Sequence, residues 1–202
     1  DATLPAAALS QIPLVPGDEH RSGQLFPVGA LDADLQQVDL RKVNSWRLMM
    51  DEVPTVELLE VHLVNAVAPF LLNARLKPLM QRVPTRDKHI VNVSAMEGQF
   101  YRIFKTDRHP HTNMAKASLN MLTRTSATEM FETDRILMTS VDTGWITDER
   151  PHQEKLRIAA EGWHAPLDLV DGAARVYDPI VRGEAGEDLF GCFLKDYVKA
   201  PW

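Results

Sequence analysis

At 202 residues, with 45% hydrophobic and 25% charged side chains, the chain is long enough for one domain with its own core and has the composition of a globular protein. A formal net charge of −6 argues against nucleic acid or an anionic membrane as the main partner, because both favour a basic surface. The single cysteine, Cys192, excludes an intrachain disulfide and a thiolate metal cluster, and its setting LFGCFL reads as a buried strand, not a reactive thiol.

Residues 1–35 carry Pro5, Pro13, Pro16, Gly17, Gly23, Pro27 and Gly29 with little periodicity, which predicts an extended, irregular arm. We take residues 1–55 as that arm or linker and residues 56–202 as the folded unit. A helix is predicted from about Val56 to Arg82; Leu58, Val61, Leu63, Val67, Phe70, Leu72, Leu76 and Leu79 leave it almost no polar face. Such a helix is expected to be covered on both sides. Pro69 lies inside it, and because proline has no N–H, the carbonyl of Asn65 loses its partner and a kink is expected. No apolar run approaches the ~20 residues of a bilayer span. With no recognisable leader, the expectation is a soluble protein of the cytoplasm or another intracellular compartment.

HIVNVSA, His89 to Ala95, reads as a buried strand, and residues 96–110 as a long loop with Arg102, Lys105 and Arg108. Ala115, Leu119, Leu122 and Met130 recur at helical spacing over His111 to Phe131. ILMTSV, Ile136 to Val141, predicts a second strand. A helix is predicted from Leu167 to Ile180, with Pro166 suited to its first turn, and a third strand from Leu189 to Leu194. Strands alternating with helices imply an α/β fold with a parallel sheet.

Four segments in this order, VNAVAPFLLNARLKPLM, IVNVSA, HTNMAKASLNMLTRTSA and VDTGWIT, resemble the short-chain dehydrogenase/reductase family from its central helix to its end, over about residues 56–200. The resemblance implies a Rossmann-like, doubly wound parallel sheet, here incomplete. No G-x-G-x-x-G or G-x-x-x-G-x-G occurs, so the half that cradles the cofactor pyrophosphate at a helix N-terminus would precede Asp1. It further implies an oxidoreductase that uses NAD or NADP for hydride transfer to or from a carbonyl or alcohol. The alternative is a catalytically inactive relative serving as a structural or partner-binding subunit.

By resemblance, Asn65 holds a water in a proton relay, and Lys116 binds the nicotinamide ribose and lowers the pKa of a tyrosine four residues earlier. Thr112 occupies that tyrosine's place, and a threonine hydroxyl is far too weak an acid to replace it. The family's serine falls on Ala95; its neighbour Ser94 points to the opposite face of a regular strand and substitutes only across a bulge. Gly144 and Thr147 correspond to residues that touch the nicotinamide end of the cofactor, with Thr143 where a proline is usual. Tyr101, His109 and His111 lie in the loop leading to the lysine's helix. A histidine suits acid–base work, although loop histidines are more often surface residues. A metal on the His109-Pro110-His111 sequence lacks a visible third ligand. Partners follow from the same reasoning: an N-terminal half or companion chain along the open sheet edge, a homodimer through the two long helices, no nucleic acid and no membrane.

Overall fold

The computed structural model describes residues 23–202. The first part of the predicted arm, residues 1–22, lies outside the described residues. From residue 23 to residue 54 the chain is irregular, with short 3₁₀ turns at Ser45–Arg47 and Met50–Glu52.

Helix α1, Thr55–Met80, is continuous but changes character at Leu63–Val67, where one turn widens to a π-helix just before Pro69. The cause is local. Proline cannot donate to the carbonyl four residues earlier, and a widened turn accommodates the broken ladder. The expectation that α1 is covered on both sides fails, because Leu59, Leu63, Val64, Phe70, Leu72 and Leu79 are all exposed. The sheet accounts for this. Its first described strand is an edge, so α1 overhangs space that a larger sheet would fill. The reading that no segment is long and apolar enough to cross a membrane also needs correction. Thr55–Met80 qualifies by length and composition, although Asn65, Asn73 and Lys77 interrupt it and the last two tie it to its neighbours.

Strand β1, His89–Ser94, is followed by helix α2, Pro110–Asp134, and strand β2, Leu137–Asp142. Helices α3, His152–Ala160, and α4, Leu169–Glu184, precede strands β3, Phe193–Lys195, and β4, Val198–Ala200. The strand order is β1-β2-β3-β4; the first two pairings are parallel and the last antiparallel. A tight hairpin returns β4, and its Asp196 and Tyr197 both take positive φ, +47° and +69°, as a two-residue primed turn requires. The sheet is thus α/β and mostly parallel, with four described strands where the sequence suggested three.

Two apolar clusters lie on its faces. Ile90, Ala127, Met130, Ile136 and Met138 pack beneath α2, while Val141, Leu189 and Leu194 with Val91 and Val176 pack beneath α4. Inside the first runs a polar chain. Asn92 donates to Thr123 Oγ1 at 2.9 Å, and Thr123 meets Ser140 Oγ at 2.7 Å, so these three buried side chains satisfy one another. On the other face Gly183 of α4 meets the sheet so closely that a Cβ there would lie 2.3 Å from His89 Cε1 and 2.9 Å from Leu137 Cδ1. Gly183→Ala should therefore cost about 1–3 kcal/mol by overpacking, read as a lowered urea midpoint at unchanged slope.

Further boundaries differ from the sequence reading. The third strand begins at Phe193, so Leu189 to Cys192 lies outside it, with Gly191 at positive φ (+62°). Cys192 is therefore a part-buried loop thiol, and burial pushes its pKa up, which disfavours the thiolate. Pro166 is not in the first turn of α4. Asp168 caps that helix, accepting from the Asp171 amide at 2.9 Å while Asp171 accepts from the Asp168 amide at 3.1 Å.

Candidate active site

In an open parallel sheet, ligands collect at the carboxyl ends of the strands. Here those ends are Ser94 and Asp142, which are register partners in β1 and β2. The loops that follow them, residues 95–109 and 143–151, frame the site. Gly98 lets the first loop lie on α2. Its 3₁₀ turn, Met96–Gly98, approaches so closely that a Cβ on Gly98 would be 2.6 Å from the Lys116 carbonyl carbon. At the second loop Asp142, buried at the end of β2, accepts from the Gly144 amide at 3.0 Å and from Lys195 Nζ at 3.1 Å. That pairing fixes the turn in which Gly144 takes φ +74°.

Lys116 lies on α2 four residues after Thr112, and its ammonium donates to the Val93 carbonyl at 3.0 Å, beside the end of β1. Burial pulls its pKa down from the usual lysine value, and the Glu97 carboxylate opposes that shift. Asn65 sits in the widened turn of α1 and donates to the Val61 carbonyl at 3.0 Å. Asn65, Lys116 and Val93 line one groove of about 590 Å³ between α1 and β1. The structure thus brings the asparagine and the lysine together.

The serine does not join them. β1 runs regularly through Ser94, with no bulge, and Ser94 is 3% exposed, its Oγ 3.5 Å from the Lys116 carbonyl on the α2 face. Ala95 follows in extended conformation. Thr112 is half-buried on the first turn of α2, its amide donating to the His109 carbonyl at 3.1 Å.

Gly144 and Thr147 make contacts within the chain. The space a Cβ on Gly144 would take is filled by Leu167 Cδ1 at 2.6 Å, and the Thr147 hydroxyl is engaged by Glu149. Among the described residues, Lys116 and Asn65 fit the nicotinamide end of a dinucleotide. The loop after β2 offers it no open cradle, and no glycine-rich phosphate turn is present.

Sequence reasoning missed the arm's part in the site. Residues 23–54 lie across both loops. The His152 amide donates to Asp39 O at 2.8 Å, the Asp148 amide to Asp34 Oδ2 at 3.0 Å, and Asn44 Nδ2 to Glu149 O at 2.7 Å. At the other loop Arg108 donates to Arg47 O at 2.8 Å and the His109 amide to Leu48 O at 2.8 Å. Trp46 sets its ring edge-on to His109, centroids 4.8 Å apart. Nothing in local periodicity signals these contacts, which join residues tens of positions apart.

His111 is 1% exposed, its Nε2 3.3 Å from Glu57 Oε1 on the first turns of α1. It is a buried link between two helix starts, in contrast to the surface residue the loop reading favoured.

No family model matches the sequence. The uncharacterized protein R665 of Acanthamoeba polyphaga mimivirus is 32% identical over 149 residues, which is 71% of this chain and 31% of that protein. Among solved structures, the carbonyl reductase Sniffer of D. melanogaster is similar at TM-score 0.60 and 20% identity, over 80% of this chain and 64% of that one. A protein of Burkholderia multivorans described as a short-chain dehydrogenase/reductase, with bound NADP, gives 0.57 and 20% over 78% and 61%. A carbonyl reductase of Pseudomonas aeruginosa PAO1 in complex with NADP gives 0.51 and 23% over 76% and 59%. The chain therefore has the short-chain dehydrogenase/reductase fold. It spans about three fifths of the length of these solved structures and under a third of the viral relative.

Proposed function

We propose that this chain is the catalytic-side part of an NAD(P)-linked oxidoreductase of the short-chain dehydrogenase/reductase family, acting between a carbonyl and an alcohol. The observation that carries this reading is the meeting of Lys116, on the helix after β1, with Asn65, in the widened turn of α1, at one groove beside the β1 end. Those are the positions the family resemblance assigns to the ribose-binding lysine and the relay asparagine. The likeness to carbonyl reductases solved with NADP supports the same cofactor class. When bound, that cofactor supplies the hydride; the chain's own part is to hold the ribose at Lys116 and to order a water near Asn65, to whose carbonyl Pro69 cannot donate.

The pyrophosphate site and the strands carrying it would come from the rest of the protein or from a companion chain. In this reading one further parallel strand lies along the open edge of β1 beside residues 90–92, and the Lys116 end of the groove is left for the cofactor. The exposed apolar side of α1, with Met114 and Met121 of α2, pairs with its copy in a homodimer. Residues 1–202 alone should bind NADPH and NADH very weakly, whereas the full-length protein should bind in the ordinary micromolar range of such sites. Calorimetry decides this, and micromolar binding by residues 1–202 alone would sink the division of labour. Light scattering and amide exchange that find a soluble, well-protected monomer for residues 1–202 alone would sink both the companion strand and the dimer.

A second reading is favoured by one observation: Thr112 and Ala95 stand where the family's tyrosine and serine would be. It makes the protein a non-catalytic subunit. NADPH binding by the full-length protein without hydride transfer to any of a broad panel of aldehydes and ketones would select it.

A further inference from the structure

Among the described residues, no hydrogen bond or ion pair joins the two site loops, residues 95–109 and 143–151, directly to each other. Both are tied instead to one short piece of the arm. The 3₁₀ turn Ser45–Arg47 is closed by the Arg47 amide, which donates to Asn44 O at 2.9 Å. From the start of this turn Asn44 Nδ2 reaches the second loop, at Glu149 O, 2.7 Å away. From its end Arg47 O accepts from Arg108 Nη1 at 2.8 Å, and Leu48 O accepts from the His109 amide at 2.8 Å.

We propose that Asn44–Leu48 is a crossbar that couples the two loops around the carbonyl substrate, with Asn44 and Arg108 as its positioning residues. This rests on the NAD(P)-linked reading above and divides the site: Lys116 serves the cofactor, and the coupled loops serve the compound to be reduced.

Each loop is also fastened beyond the crossbar. In the first, Gln99 is 7% exposed and its Nε2 donates to Pro201 O at 2.6 Å, while the Tyr101 amide donates to Trp202 O at 3.1 Å. Residues 99–109 are therefore held at both stems, at one by the segment after β4 and at the other by the crossbar. At the second loop the arm adds Asp34, which accepts from the Asp148 amide at 3.0 Å, and Asp39, whose carbonyl accepts from the His152 amide at 2.8 Å. Asp34 is itself set in a turn, with Asp32 Oδ1 accepting from the Asp34 and Gln36 amides at 3.0 and 2.9 Å, and Asp32 pairs with Lys155 of α3.

The contacts thus run without a break from the first loop through the arm to the second, the kind of connected network that carries energetic coupling between separated segments. At its first-loop end the acceptors are backbone carbonyls, so the side chains by which the tie can be cut are Arg108 on one loop and Asn44 toward the other.

The test uses the full-length protein and the best-reduced member of an aldehyde and ketone panel. Arg108→Ala and Asn44→Ala should each raise the KM for that compound about tenfold, with kcat and NADPH affinity within about threefold of the parent. The double variant should be no worse than either single one, because both changes open the same tie. Arg108→Lys, which can still donate to Arg47 O, should recover most of the loss. Amide exchange reads the coupling without turnover. Asn44→Ala should speed exchange at His109, and Arg108→Ala at His152, each on the far side from the substitution. Faster exchange confined to the altered loop overturns the crossbar, as do additive effects on KM or a loss of NADPH affinity equal to the rise in KM. A parent that reduces no member of the panel overturns the substrate role together with the oxidoreductase reading, and the exchange comparison then decides the coupling by itself.

Discussion

Lys116→Ala in the full-length protein is expected to lower kcat/KM for NAD(P)-linked carbonyl reduction by about 100- to 1,000-fold, ~2.7–4 kcal/mol of transition-state stabilisation. The lysine is the charged side chain in the groove that the proposed cofactor ribose would meet, and its place beside the β1 end is set by Gly98 packing on its own backbone. In the structure its ammonium is satisfied by Val93 O, a contact a ribose hydroxyl can share, since an ammonium has three donors. Loss of the lysine should raise the NADPH Kd as well as slow turnover. Thr112→Val is the contrasting case. It should leave the rate within about tenfold, ~1.4 kcal/mol, because an aliphatic hydroxyl supplies no proton at neutral pH. Thr112→Tyr, which restores the family's residue, probes the same point from the other side. A large loss in Thr112→Val together with a small one in Lys116→Ala would invert the assignment of roles.

Thr123→Val should lower the stability of the full-length protein by about 2–4 kcal/mol with no effect on side-chain volume. The hydroxyl is fully buried, accepts from Asn92 Nδ2 at 2.9 Å, meets Ser140 Oγ at 2.7 Å, and reaches the Leu119 carbonyl at 3.1 Å. Valine leaves the amide and the other hydroxyl in the core without their partner, and each orphaned group costs about 1–3 kcal/mol. The effect should extend to α1, since Asn92 Oδ1 accepts in turn from Asn73 at 3.4 Å. Urea unfolding measures the loss, with the exposed Thr125→Val as a control expected within about 0.5 kcal/mol of the parent. A loss below about 1 kcal/mol would show that Asn92 and Ser140 find other partners.

The elements with strong periodicity were legible from the sequence alone. α1, α2, β1 and β2 lie within a few residues of their predicted places, because an apolar stripe and a β-branched run report burial directly. Pro69 announced the irregular turn at Leu63–Val67 for the same local reason. What was not legible has no local signature. α3 and β4 are short, and β4 is defined only by pairing with β3. The exposure of α1 follows from which strands it has to cover, a property of the sheet and not of the helix. In the site, the resemblance pointed to Lys116 and Asn65, and both line one groove. Glu97, Trp46 and the position of His109 depend on a glycine contact and on an arm folding back over two loops. The engagement of Gly144 by Leu167 likewise joins residues more than twenty positions apart.

The widened turn of α1 has a consequence for how this helix tolerates change in length. A single extra residue within an α-helical ladder rotates everything after it by about 100°. The half before the turn lies against the start of α2, where Glu57 Oε1 and His111 Nε2 are 3.3 Å apart. The half after it is pinned to the end of α2 by Lys77, 2.8 Å from Glu129 and 3.2 Å from Asp134. Both anchors hold only with the turn as it is. Insertions and deletions in Leu63–Val67 should therefore be far less tolerated than substitutions there, since losing one residue swings Asn73 and Lys77 off their partners while leaving every side chain's chemistry intact. The turn acts as a phase marker between two otherwise independent faces.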